Sequence, residues 1–123
     1  MAVILVIDDE PKMRLMVRNI LGRAQHSVIE AEDGARGLRQ LEKEHPAVVL
    51  TDILMPGTEG IETIFQIRRT SPGTKIIAMS GGGRIGSADF LKMAERAGAD
   101  AALAKPFRAA ELVGTIDRLL APA

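Results

Sequence analysis

Apolar positions along the chain fall into two textures that alternate from end to end. Short apolar stretches span Ala2–Ile7, Ser27–Ala31, Ala47–Thr51 and Lys75–Met79, with β-branched residues in each, and Ala99–Ala104, small and apolar. Their length and composition predict strands, and the unbroken runs predict strands buried on both faces. Between them apolar residues recur three and four apart. Met13, Met16, Val17, Ile20 and Ala24 make one such stripe, and Ala35, Leu38 and Leu41 a second. Ile61, Ile64 and Phe65, then Phe90, Leu91 and Ala94, and finally Leu112, Val113, Ile116, Leu119 and Leu120 complete five amphipathic helices.

Breaker residues fall where the textures change. Pro11 suits a first helical turn, and Pro46 and Pro56-Gly57 flank the central strand. Ser71-Pro72-Gly73 closes the third helix, and Gly98 is a natural stop for the fourth. Five strand-helix units in strict alternation predict a doubly wound α/β domain. Its parallel sheet is covered on both faces, because each right-handed crossover lays a helix on one side or the other. With no linker, repeat or low-complexity tract, residues 1–123 read as one domain without an appended output domain.

That topology fixes a functional edge, since ligands of open α/β sheets bind outside the carboxyl ends of the strands. Asp8 and Asp9 follow the first strand, Asp52 the third, Ser80 the fourth and Lys105 the fifth. Each has an ordinary explanation when taken singly. Asp8-Asp9-Glu10 suits a helix N-terminus, Asp52 a turn, and Lys105-Pro106 a helix start. Their joint placement at four strand ends is what those explanations leave out.

Crowded carboxylates repel one another, and a hard divalent cation with oxygen ligands relieves the repulsion. Mg²⁺ in particular is held by one or two carboxylates together with phosphate oxygens. Lys105 adds a fixed countercharge suited to a phosphoryl oxygen, and Ser80 a hydroxyl donor. Such a rim is built to receive a phosphoryl group, with Asp52, alone on the central strand, as the nucleophile.

Composition removes other readings. Sixteen basic and sixteen acidic side chains cancel, so bulk charge favours no direct contact with nucleic acid. No apolar run approaches membrane-spanning length, and the N-terminus lacks the basic segment of a signal peptide. The absence of cysteine excludes disulfide and thiol chemistry, and a soluble, cytoplasmic protein is expected. With three Phe and neither Tyr nor Trp, aliphatic residues must fill the core.

Over essentially its whole length the chain resembles the response-regulator receiver domain, the phosphoacceptor module of two-component signalling. Val6-Ile7-Asp8-Asp9-Glu10, Thr51-Asp52-Ile53-Leu54-Met55-Pro56-Gly57 with Gly60, Met79-Ser80, Gly98-Ala99-Asp100 and Lys105-Pro106-Phe107 carry the likeness. The resemblance implies a flavodoxin-like fold with strand order 2-1-3-4-5. It implies that Asp52 takes a phosphoryl group from the phosphohistidine of a sensor histidine kinase or histidine phosphotransfer protein, the receiver itself promoting the transfer. By the same likeness Asp9 is a direct Mg²⁺ ligand, Asp8 its partner through a water, and the backbone carbonyl of Leu54 a further contact. Asp52 belongs to that metal set as well. Lys105 binds the phosphoryl group next to a cis peptide bond to Pro106, and Ser80 is the switch hydroxyl. The outcome of phosphorylation is altered binding to a downstream protein.

Two positions depart from the family pattern. Ala102 stands where receivers usually carry an aromatic ring, so coupling between the hydroxyl and that ring is lost. Output then passes through the loop after Ser80, which holds three successive glycines, and through the adjoining fourth-helix and fifth-strand face. Gly81, Gly83 and Gly86 in that loop meet a dinucleotide-binding spacing, but the acid downstream, Asp100, begins its strand at the opposite edge. An FMN site is disfavoured by acids in the first turn. His26 and His45 fall in segments directed away from the rim. The competing function is a small Mg²⁺-dependent aspartyl-phosphate phosphatase or phosphotransferase acting on a diffusible substrate.

Overall fold

The computed structural model describes residues 1–55, 58–81 and 87–122. In chain order the elements are β1 (Val3–Ile7), α1 (Pro11–Arg23), β2 (Ser27–Ala31), α2 (Gly34–Glu44) and β3 (Val48–Asp52). Next come β4 (Leu54–Met55), β5 (Thr58–Glu59), α3 (Gly60–Thr70), β6 (Lys75–Gly81), α4 (Ser87–Ala97), β7 (Ala101–Lys105) and α5 (Ala109–Leu120). Five strands pair in parallel in the order β2-β1-β3-β6-β7. Counting those strands alone, this is the expected 2-1-3-4-5 sheet. Pro56 and Gly57, read from sequence as a turn, and residues 82–86 of the glycine-rich loop lie outside the described residues.

Strand alternation sorts the core into two layers. Ile4, Val6, Val48, Leu50, Ile77, Met79 and Leu103 pack with Val17 and Leu21 of α1 and with Leu112 and Ile116 of α5. Leu5, Ile7, Val49, Ile76 and Ala78 pack on the other face with Leu41 of α2, Ile64 and Ile67 of α3, and Ala94 and Ala97 of α4. Ile4–Ile7, Val48–Leu50 and Ile76–Met79 of the central strands are fully buried, as their unbroken apolar runs require. Truncating one such isoleucine or leucine to alanine costs about 2–5 kcal/mol.

Two differences from the sequence reading have local causes. The last strand of the sheet begins at Ala101 rather than Ala99. Gly98 takes φ +112°, Ala99 N–H donates back to Ala94 O, and Asp100 N–H donates to Ile76 O, so the chain is still turning through those residues. The antiparallel pair β4-β5, with Leu54 opposite Glu59 and Met55 opposite Thr58, was not anticipated. Two-residue strands carry no periodicity to read.

Close approach explains two glycines. A Cβ on Gly60 would sit 2.2 Å from Ile53 Cα, and one on Gly37 would sit 2.3 Å from Ile7 Cδ1. The first contact brings the start of α3 directly against the backbone that follows Asp52.

Candidate functional site

Strand parity decides which terminal side chains meet. Asp8 continues the alternation of Ile4 and Val6, Asp52 that of Val48 and Leu50, and Lys105 that of Ala101 and Leu103. All three therefore project toward the α1/α5 layer at the carboxyl rim, and parallel register brings their strands level there. Lys105 Nζ donates to Asp8 Oδ2 at 2.8 Å and to Asp52 Oδ2 at 2.9 Å. Glu10 Oε1 lies 3.6 Å from the same ammonium.

The cluster is largely removed from water. Side-chain exposure is 0% for Asp8, 5% for Asp52 and 8% for Lys105, against 64% for Glu10. Burial alone would pull the Lys105 ammonium below its ordinary value, but hydrogen bonds to Asp8 and Asp52 and the charge of those carboxylates prevail. They hold it above that value. Breaking such a buried pair by deleting one partner costs about 3–5 kcal/mol, because the remaining charge is left uncompensated.

Carboxylate oxygens of Asp8, Glu10 and Asp52 all lie within 4.8 Å of one another. An all-oxygen, anionic donor set of this kind fits a hard divalent cation such as Mg²⁺ and offers nothing to a soft one. The turn carrying these acids is pinned at several points. Asp8 N–H donates to Ala31 O at 3.1 Å, and Glu10 N–H donates to Asp8 Oδ1 at 2.9 Å.

Of the residues predicted from sequence, Asp8, Asp52 and Lys105 are thus brought together. Asp9 is on the same turn but exposed, outside the group of acids that converge. Glu10 joins in its place, a residue the sequence reading gave no site role; its position in the Asp-Asp-Glu run ahead of Pro11 was the available signal. Ser80 is half-buried near the end of β6, opposite Ala104 in register, with the parity of Ile76 and Ala78. It reaches the rim from the other face of the sheet. Leu54 follows Asp52 by two residues and opens β4. The Lys105-Pro106 peptide bond is cis. Ala102 is half-buried, pairs with Ala78 and packs against the α2–α4 layer.

The remaining candidates have structural roles. Asp100 lies at the opposite edge, where its Oδ2 accepts from Arg68 Nη2 at 2.7 Å and from Ile76 N–H at 2.8 Å. Arg68 also donates to the carbonyls of Gly98, Pro72 and Thr74. Asp100 is therefore part of a clamp holding α3, β6 and β7, consistent with setting aside the dinucleotide spacing. His26 Nδ1 accepts from Ala2 N–H, and His45 caps α2 in a left-handed conformation. Three surface clefts of about 370–570 Å³ lie between α1, β2 and α2, between α2 and α3, and between α1 and α5. None of the three is lined by Asp8, Asp52 or Lys105. Among the described residues, no helix is long and apolar enough to cross a membrane.

Residues 4–117 match the family model described as the response regulator receiver domain. The chain is 32% identical over 117 residues to the chemotaxis protein CheY of Halobacterium salinarum, covering 95% of each. It is 36% identical over 117 residues to the transcriptional regulatory protein ResD of Bacillus subtilis, of which it spans 47%. Among solved structures, Vibrio cholerae chemotaxis protein CheY4 superposes with a TM-score of 0.87 at 30% identity, over 98% of this chain and 99% of that one. NtrX from Brucella abortus gives a TM-score of 0.89 at 30% identity, over 97% of this chain but only 27% of NtrX.

Proposed function

Because the chain belongs to the response regulator receiver domain family, whose members work in phosphorylation-dependent signalling, we propose that Asp52 is its phosphoacceptor. The observation that carries this reading is the buried ion cluster in which Lys105 bonds Asp52 and Asp8 together at the carboxyl rim.

The donor is a phosphohistidine of a sensor kinase or histidine phosphotransfer protein. A carboxylate oxygen of Asp52 attacks phosphorus, the new O–P bond forms as the N–P bond breaks, and the histidine ring leaves with the electron pair. Lys105 Nζ, already 2.9 Å from Asp52 Oδ2, follows the incoming charge by donating to a phosphoryl oxygen. Asp8, Asp9, Asp52 and the backbone carbonyl of Leu54 would hold Mg²⁺, with Glu10 at the mouth of the site. When bound, the ion neutralises charge on the transferring phosphoryl oxygens. Ser80 donates its hydroxyl to the phosphorylated form, and the loop after it passes the change to the α4/β7 face and a downstream protein.

With Ala102 in place of a ring, that relay runs through the backbone after Ser80. Residues 1–123 act as one receiver unit in the cytoplasm, promoting their own phosphorylation and turning over no separate substrate. That reading is favoured over a small phosphatase because the family is one of signalling modules, and the buried ion cluster of Asp8, Asp52 and Lys105 lines none of the three clefts described.

Incubation with acetyl phosphate and Mg²⁺ tests it. A stoichiometric, hydroxylamine-sensitive adduct is expected; rapid multiple turnover of phosphate esters would support the enzyme instead.

A further inference from the structure

Arg14 lies outside every role assigned above, yet its side chain adds a further contact to those that pin the acidic turn. From the second turn of α1 its Nη1 donates to Asp8 O at 2.7 Å, and its backbone N–H donates to Glu10 O at 3.2 Å. The guanidinium thus reaches the start of the Asp8–Glu10 turn, while the bond to its end is the first backbone bond of α1 itself. Its own guanidinium is fixed from the neighbouring strand, because Nε donates to Glu30 Oε1 at 3.0 Å. Glu30 Oε2 in turn accepts from Arg18 Nε at 2.8 Å, so its carboxylate is shared by two arginines one helical turn apart.

The two arginines are not equivalent. Arg14 has a side-chain exposure of 16% and reaches the turn, whereas Arg18 is 49% exposed and meets Glu30 alone among the hydrogen bonds described. A planar guanidinium can serve Glu30 and the Asp8 carbonyl at the same time from different nitrogens; a lysine ammonium on a flexible stem cannot span both with fixed geometry.

We propose that Arg14, oriented by Glu30, is a positioning residue of the acidic site: it sets the Asp8–Glu10 turn so that its carboxylates face Lys105 and a bound divalent cation. The proposal rests on the reading of this rim as a Mg²⁺-dependent phosphoryl site. Groups behind the direct ligands of a metal commonly change its affinity by roughly 10- to 100-fold when removed.

The test compares Arg14→Lys with Arg18→Lys in the full chain, reading Mg²⁺ affinity by calorimetry and amide exchange of Asp9 and Glu10 in the metal-free protein. Thermal unfolding of each variant runs alongside. Arg14→Lys is expected to weaken Mg²⁺ binding by roughly tenfold and to speed exchange in the turn. Arg18→Lys, which alters the other ion pair of Glu30 without touching Asp8, is expected to change neither. Equal effects of the two variants, or unchanged Mg²⁺ affinity in Arg14→Lys with only a lower unfolding temperature, would overturn the proposal and leave Arg14 a stability residue. If Arg14→Lys does not fold, Glu30→Gln gives the same decision: it keeps a carbonyl acceptor for one arginine, so affinity should fall by less than in a folded Arg14 variant but measurably. No change would count against the proposal. A parent protein that binds no Mg²⁺ at all would bring down the functional reading itself, a result distinguishable from failure of Arg14 alone.

Discussion

Replacing Lys105 with methionine should make the metal-free protein markedly less stable, and Mg²⁺ should restore much of the loss. The substitution keeps the aliphatic stem and deletes the ammonium. Asp8 and Asp52, 0% and 5% exposed, then face each other without the charge that bonds both at 2.8 and 2.9 Å. Removing one partner of a buried ion pair costs about 3–5 kcal/mol. With a urea slope of about 1–3 kcal/mol/M, that lowers the denaturation midpoint by on the order of 2 M. A divalent cation supplies positive charge to the same carboxylates, so Mg²⁺ at 100 times its dissociation constant returns about 2.7 kcal/mol. Urea titrations of parent and variant, with MgCl₂ and with EDTA, measure both quantities. A variant within 1 kcal/mol of the parent in EDTA, at about a fivefold change in the folding constant, would refute the claim that the ammonium holds this site together.

Four further outcomes follow from the same geometry. The Lys105 contribution has an alkaline limit: its folded pKa is raised, so the stability it provides is complete below the unfolded lysine value, about 10.4, and disappears as pH climbs through the folded one. Denaturant titrations toward high pH should show a steeper loss in the parent than in Lys105→Met. Glu30 behaves in the opposite sense. Burial alone would raise its carboxyl, but the hydrogen bonds and charges of Arg18 and Arg14 hold it below its ordinary value. Its stabilisation is present above the unfolded glutamate value, about 4.3, and fades as pH falls through the folded one, so Glu30→Gln should flatten the acid limb of the stability profile. Arg68→Ala removes donors to three carbonyls and Asp100 and should cost about 2–4 kcal/mol by denaturation, while labelling by acetyl phosphate persists. Asp9→Asn should weaken Mg²⁺ binding in calorimetry more than Glu10→Gln; the reverse order would assign the third carboxylate to Glu10.

The parts of this protein legible in its sequence are those where local pattern and global position agree. Unbroken apolar runs such as Val48–Leu50 are buried on both faces in the three central strands, and five strands separated by amphipathic helices allow few topologies. The meeting of Asp8, Asp52 and Lys105 followed from their places at strand ends, and parity supplies the reason they share one face. What local pattern did not disclose depends on partners distant in sequence or on geometry without periodicity. Glu10 reads as a helix-entry acid until Lys105, 95 positions away, is beside it. Arg14 and Glu30 look like ordinary surface charges, because nothing in a helix or strand pattern says that a guanidinium reaches back to a carbonyl in the preceding turn. The delayed start of β7 likewise depends on the backbone bonds of Gly98, Ala99 and Asp100, and the two-residue strands β4 and β5 are too short to carry a period.

The most direct examination of the phosphoacceptor assignment is chemical trapping. After exposure to acetyl phosphate and Mg²⁺, borohydride reduces an aspartyl phosphate to homoserine, and peptide mass spectrometry locates the altered residue. Homoserine is expected at position 52, lost in Asp52→Asn and in the presence of EDTA; modification at Asp8, Asp9 or Glu10, or none anywhere, would rule out Asp52 as the phosphoacceptor.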